Sequence, residues 1–233
     1  MNFKLLITTS WTGSRLGNLT KETNKSIIKV WDKEIISYIL DMYPDDIEIV
    51  VTLWYYGDKV KDFLEVNYPD RKIEYAYVDK YEWAWSSLWY SMLCAKDFLD
   101  CPFIFHCNDT IVNDYKPQVN HNWAWWFKVE NSEQYTTFKV DWPEITQFNT
   151  NKWAAIFDYA HIWVVWIYEY EKFWNILTLM YKNNPNQSSL NDVFVLYEML
   201  NTWSEISFIE FTSWSDTWNI ESLEKTKEYI KSL

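Results

Sequence analysis

Up to Cys107 the chain alternates four times between an apolar, β-branched run and an amphipathic one, and that rhythm restricts its fold more than any other feature. Phe3 to Thr9, Ile47 to Leu53, Lys72 to Val78 and Phe103 to Cys107 read as buried strands, because runs this short and this rich in β-branched residues suit strands better than helices. Between them, Ile35, Ile36, Ile39 and Leu40 share one helical face behind Asp32 as N-cap. Asp58 to Val66 gives a second helix, and a third, capped by Ser86 or Ser87, runs to about Leu99. Parallel neighbours can be joined only through crossovers. The pattern therefore predicts an α/β fold with a mainly parallel sheet covered by helices on both faces.

After Asn113 the rhythm changes. Trp123 to Val129, Tyr135 to Val140 and Glu144 to Phe148 look like antiparallel strands, and His161 to Tyr168 is another strand. Helices come next at about Glu169 to Tyr181 and Ser189 to Asn201, then a strand from Ile206 to Phe211 and a closing helix from Ile220 to Ile230. Lys182 to Ser189 is a polar loop between helices, and no repeat or low-complexity linker interrupts the chain. We expect one domain over residues 1–233, with a small antiparallel subregion in its second half.

With 21 basic against 33 acidic residues the net charge is −12, which repels a phosphate backbone and argues against nucleic acid as partner. There is no eighteen-residue apolar run and no basic start leading into a long apolar stretch, so we expect a cytoplasmic protein without membrane attachment. Cys94, Cys101 and Cys107 lack metal-ligand spacing and fit a reducing compartment as buried small apolar residues.

Composition is abnormal in one respect. At the usual ~7% a chain of this length would hold about sixteen glycines. It holds 3, beside 17 tryptophans. The excess of one nearly matches the deficit of the other, and Trp11, Trp31, Trp54, Trp83, Trp85, Trp89 and the Trp125-Trp126 pair fall where a tight turn or phosphate loop wants a residue without a Cβ. We read these as glycine positions, at which a UGA codon meaning glycine in the source organism has been translated as tryptophan. The competing explanation is a natural aromatic-rich surface such as a platform for sugars.

The loop after the first strand reads Ser10-Trp11-Thr12-Gly13-Ser14-Arg15-Leu16-Gly17, with Asn24-Lys25-Ser26 beyond it. Small residues such as Thr12, Gly13 and Ser14 let backbone N–H groups approach a triphosphate, and Arg15 and Lys25 can neutralise charge moving onto a departing pyrophosphate. A dinucleotide fold would need an acid at the tip of the second strand, where Thr52-Leu53-Trp54-Tyr55 offers none, and a P-loop would need glycine ahead of Lys25-Ser26. With glycine at position 11 the loop becomes G-x-G-S-R-L with a lysine beyond it, and resembles the signature of the sugar nucleotidyltransferases, or nucleotide-sugar pyrophosphorylases.

That resemblance spans almost the whole chain and implies a Rossmann-like, GT-A-type sheet, with 1–115 as the nucleotide-binding half and 116–233 as the substrate-binding half. It implies catalytic roles for Arg15 and Lys25 and nucleotide contacts from Trp11, Thr12, Gly13 and Ser14. It makes Asp109, at the end of the strand Phe103 to Cys107, one ligand of Mg²⁺. Asn108 stands where the family more often has glycine, and an Asx-turn or helix cap is the ordinary role of an aspartate there. Trp214-Ser215-Asp216-Thr217-Trp218-Asn219, with glycine at 218, resembles the element that supplies the second metal-binding aspartate, here Asp216. Two carboxylates and phosphate oxygens make the hard site Mg²⁺ prefers. Glu82, Trp83, Trp85 and Ser86 resemble the small-residue loop that lies against the nucleobase, though Ser86 could simply cap a helix. Lys152 is a candidate for the phosphate of the attacking substrate, an exposed surface lysine being its ordinary reading. His106 and His161 lie inside apolar strands and read as satisfied core histidines.

The expected reaction is attack of a phosphomonoester, such as a sugar 1-phosphate, on the α-phosphorus of an NTP, with loss of pyrophosphate. Two other classes remain at this point. One is a glycosyltransferase that consumes a nucleotide sugar and uses Asn108-Asp109 as a degenerate metal motif. The other is a non-catalytic carbohydrate-binding protein in which Trp11 blocks the phosphate loop.

Overall fold

The computed structural model describes residues 3–79, 87–113, 119–127, 135–149, 159–184 and 191–232. The first half runs β1 (Lys4–Thr8), β2 (Lys29–Val30), β3 (Lys33–Glu34), α1 (Ile35–Met42), β4 (Glu48–Leu53), α2 (Gly57–Asn67), β5 (Ile73–Tyr77), α3 (Leu88–Ala95), β6 (Phe103–Cys107) and β7 (Thr110–Val112). The second runs β8 (Asn122–Phe127), β9 (Thr137–Asp141), β10 (Glu144–Asn149), β11 (Tyr159–Ile167), α4 (Tyr170–Asn183), α5 (Asp192–Asn201), β12 (Ile206–Glu210), β13 (Trp214–Asp216) and α6 (Ile220–Ser232). The fold is mixed α/β.

Nine strands form one sheet in the order β5-β4-β1-β6-β11-β8-β12-β10-β9. The neighbours β5, β4, β1 and β6 are mutually parallel. At β11 the direction reverses, and β11 runs antiparallel to both β6 and β8. β12 lies parallel to β8, and β9 returns to pair with β11 through Tyr159 and Phe138, so this end of the sheet curls onto itself.

Side chains alternate across the sheet and build two cores. Leu6, Val50, Phe103 and Phe105 face α3, α4 and α5, whereas Leu5, Ile7, Ile49, Val51 and Ile104 face α1 and α2. Because both faces are covered, the central strands can be apolar throughout, and all five residues of β6 are buried. A third, smaller cluster joins Leu16, Val30, Ile35, Ile111 and Leu223, and so ties the loop after β1 to α6.

The structure differs from the sequence reading in several local places. Asp32 lies in the turn of a small β2–β3 hairpin instead of capping a helix, and α1 starts behind Glu34. Ser87, whose hydroxyl accepts from the Tyr90 N–H at 3.3 Å, caps α3. Trp214-Ser215-Asp216 forms the short strand β13, antiparallel to β7. Two-residue and three-residue strands carry no periodicity for a sequence pattern to show.

Candidate functional site

The parallel strands β1, β4 and β6 end in register, Thr8 lying opposite both Thr52 and Cys107. The loops leaving them therefore open on one edge of the sheet, where open α/β sheets hold ligands. The first is cross-tied at its base. Thr9 donates its hydroxyl to the Thr52 carbonyl at 2.6 Å, and Ser10 donates to the Ser91 hydroxyl at 2.7 Å. Gly13 has φ +62°, and a Cβ there would sit 2.9 Å from Thr20 Cγ2 and 3.1 Å from Lys25 Cβ. Glycine is needed at 13 on both counts.

Asn24 fixes the backbone on either side of Lys25. Its amide donates to the Thr9 and Tyr55 carbonyls at 2.8 and 2.6 Å, while its side-chain oxygen accepts from the Ser26 N–H and hydroxyl at 2.9 and 2.7 Å. Lys25 itself is only 3% exposed, and its ammonium donates to Asp109 Oδ2 at 3.1 Å. A lysine this buried requires a counter-charge, and Asp109 supplies it. Burial by itself would raise the Asp109 pKa, but the Lys25 ammonium, with hydrogen bonds from Cys107 and Lys25, outweighs burial and holds the carboxyl below its ordinary value.

Asp216 is brought to Asp109 by the β7–β13 pairing, which sets it opposite Thr110. The Thr217 N–H then donates to the Asp109 carbonyl at 2.9 Å. Asp216 Oδ1 accepts from the Trp218 N–H at 2.8 Å, and Oδ2 accepts from the Tyr135 hydroxyl, also at 2.8 Å. Burial, then Asp216 and Asp109, push the Tyr135 phenol well above its usual pKa, so it stays a neutral donor facing both carboxylates. Arg15 is exposed on the loop after β1, with its guanidinium carbon 4.6 Å from the Trp218 ring centroid.

Arg15, Lys25, Gly13, Asp109 and Asp216 thus gather around one edge of the sheet. Thr12 is half-buried and Ser14 exposed on the same loop, and Trp11 packs against the core of α3, α4 and α5. Glu82, Trp83, Trp85, Ser86 and Lys152 lie outside the described residues. Tyr135 and the anchoring role of Asn24 were missed. Tyr135 touches Asp216 across 81 residues of sequence, and no local pattern announces such a contact. His106 is satisfied as expected, bonded to the Tyr43 hydroxyl at 2.8 Å and the Thr110 carbonyl at 2.9 Å. His161 pairs with Asp192 at 2.9 Å, yet its Nδ1 has no hydrogen-bond partner.

The donor chemistry suits a divalent cation that completes its shell on a nucleotide. Among the described residues no three His, Cys, Asp or Glu side chains cluster as a self-sufficient metal cage. Two carboxylates with substrate oxygens are the usual holding of Mg²⁺. A cavity of about 470 Å³ lined by Lys96, Asp97, Asp100, Tyr170 and Glu171 lies at the opposite end of β6 and does not meet these groups.

No protein-family model and no curated protein matches the sequence. Solved structures do match. A UDP-glucose pyrophosphorylase complexed with UDP-glucose aligns with a TM-score of 0.81 at 16% identity, covering 100% of both chains. The CTP:phosphocholine cytidylyltransferase of Streptococcus pneumoniae aligns with a TM-score of 0.71 at 16% identity over 99% of this chain and 100% of that one. The inositol-1-phosphate CTP transferase of T. maritima gives 0.74 at 15% identity, over 99% and 96% respectively. The chain has the fold of nucleotidyltransferases of the sugar-nucleotide type. Among the described residues no helix is long and apolar enough to cross a membrane.

Proposed function

We propose that this chain is a Mg²⁺-dependent nucleotidyltransferase that joins an NTP to a phosphomonoester, a sugar 1-phosphate being the first candidate, and releases pyrophosphate. In this reading the parallel strands form a Rossmann-like, GT-A-type core in which residues 1–115 hold the nucleotide and 116–233 the second substrate, all in one domain. The observation that carries it is the ion pair of buried Lys25 with half-buried Asp109 at the carboxyl edge of β6, with Asp216 fastened to the same residue through Thr217. A cation and two carboxylates converge there beneath a loop that only glycine can form at residue 13.

Each side chain then has a task. Backbone N–H groups of the loop from Trp11 to Ser14 cradle the phosphates, and Arg15 neutralises charge passing to the leaving pyrophosphate. Lys25 exchanges its contact with Asp109 for the phosphate oxygens when the nucleotide arrives. Asp109 and Asp216 would hold Mg²⁺, which when bound neutralises the phosphate oxygens. By the resemblance alone, contacts to the base fall to Glu82, Trp83, Trp85 and Ser86, and the phosphate of the attacking substrate to Lys152. The enzyme forms no covalent intermediate, so its contribution is in-line positioning and charge stabilisation. The cytoplasm is the expected compartment, where NTP and Mg²⁺ are at hand.

The test is a pyrophosphate-release screen of the four NTPs against a panel of phosphomonoesters with Mg²⁺, using a gene recoded to glycine at the doubtful tryptophan positions, 218 among them. One productive pair is expected, and its release should stop on chelation. A nucleotide sugar consumed without any pyrophosphate would instead indicate glycosyl transfer.

A further inference from the structure

Among the described residues four that are not glycine have φ in the left-handed region, and three of the four are tryptophan: Trp31 (65°), Trp163 (56°) and Trp203 (68°). In that region a Cβ crowds the neighbouring carbonyl, and glycine is the residue that adopts it without strain. All three occupy motifs that call for glycine independently of one another. Trp31 is the first central residue of the two-residue loop between Val30 and Lys33, a hairpin position at which the favoured turns take a positive φ and glycine is preferred. Trp163 falls where the register of β11 against β8 shifts between His161 and Val165, and a left-handed residue at a bulge is a glycine position. Trp203 ends α5. Its N–H donates to the Leu200 carbonyl at 3.1 Å and the Ser204 N–H to the Met199 carbonyl at 2.9 Å, which is the bond pair of a Schellman cap with Trp203 as its left-handed residue. With 96% of it exposed, no burial offsets the backbone cost.

Trp163 also bears on the candidate site. Its ring centroid lies 6.1 Å from that of Trp218 and 6.3 Å from that of Tyr135. Trp218 in turn is covered by Arg15 and bonded through its N–H to Asp216. Trp218 thus lies between the Arg15 guanidinium and Asp216, with Trp163 edge-on against it, where the nucleotidyltransferase reading puts the phosphates of an NTP. We infer that Trp163 stands at a glycine position and, together with Trp218, obstructs the triphosphate pocket of this chain, and that residues 31, 163 and 203 are glycine in the protein as its source organism makes it. The pocket half of this inference rests on the nucleotidyltransferase reading. The glycine half does not, because backbone geometry alone carries it.

The experiment compares the chain as it stands with Trp163→Gly/Trp218→Gly, each with and without Arg15→Ala. Binding of inorganic tripolyphosphate with Mg²⁺ is monitored by calorimetry, and folding by thermal melting. The double glycine variant should bind about tenfold tighter or better and lose the gain with Arg15→Ala. Trp163→Gly alone should melt no lower than the parent, while Trp174→Gly, at a wholly helical and packed position, should melt clearly lower. Equal affinity in a folded double variant overturns the obstruction, and leaves the nucleotidyltransferase reading intact if Arg15→Ala abolishes binding in both backgrounds. No binding in any folded form overturns both. Peptide masses of the protein isolated from its source should show glycine at 31, 163 and 203, and tryptophan there would overturn that assignment.

Discussion

Arg15 and Lys25 carry the same charge into the same site but stand in different relations to the fold. Arg15 is exposed, so Arg15→Ala should leave the melting temperature unchanged, while in the form with glycine at 163 and 218 turnover falls by roughly a hundredfold or more, the usual loss when a donor to developing charge is removed. Asp109→Asn should cost both activity and stability. It leaves the Lys25 ammonium, 3% exposed, without its counter-charge; breaking a fully buried pair costs ~3–5 kcal/mol, and with Asp109 23% exposed the loss should fall at or below the lower end of that range. Urea unfolding of the two variants separates the roles, and a stable Asp109→Asn protein would contradict the buried-pair account. His106 gives a pH signature. Burial, only partly offset by its bond to the Thr110 carbonyl and by Asp109, lowers its pKa to about 4. Since that lies below the unfolded value near 6.5, the unfolded chain takes the proton first. The contribution is complete above about pH 6.5 and is lost as pH falls toward 4. Urea midpoints should drop over that window, and the drop should shrink in His106→Gln. Arg15, Lys25, Asp109 and Asp216 were all legible in the sequence, because each belongs to a short motif beside a strand. Tyr135 was not, because its role exists only once β13 has folded against β7.

Turns and caps, more than strands, decide how well this chain is held. Asn24 makes four hydrogen bonds, two to the Thr9 and Tyr55 carbonyls just beyond β1 and β4 and two from Ser26, and so pins both sides of Lys25. Asn24→Ala strands several buried backbone groups, and at ~1–3 kcal/mol for each it should lower stability by more than an ordinary cap deletion, read from the urea midpoint. Trp203→Gly should act the other way. Removing a fully solvated indole from a left-handed cap forfeits almost no burial and relieves roughly 1 kcal/mol of backbone strain, so the melting temperature should rise by a few degrees. The strand–helix units up to β6 were legible because their apolar periods are long enough to read. The β2–β3 hairpin and β13 were not, since two or three residues set no period. The parallel placement of β12 beside β8 was also hidden, because pairing partners are chosen by the sheet as a whole. Of the described positions read from sequence as glycine, Trp31 alone has a left-handed backbone; Trp11, Trp54, Trp89, Trp125 and Trp126 do not, and Trp89 and Trp125 are wholly buried.

The architecture brings these local devices to one place. Parallel strands deliver their carboxyl ends to a common edge, the reversal at β11 sets the second half of the chain against that edge, and β13 carries Asp216 back to Asp109. The alternation of strand and helix in the first half foretold the common edge. It could not foretell the curl of β9 onto β11, which depends on pairings between strands of low periodicity. The central claim is that this edge moves a nucleotidyl group, and the fate of the α-phosphate tests it most directly. With an NTP labelled at the α-phosphate, a phosphomonoester acceptor and Mg²⁺, the label should appear in a product joining nucleotide and acceptor, with one unlabelled pyrophosphate per turnover and none after Arg15→Ala. Label that stays in NTP for every acceptor, even with residues 163 and 218 converted to glycine, would contradict the account.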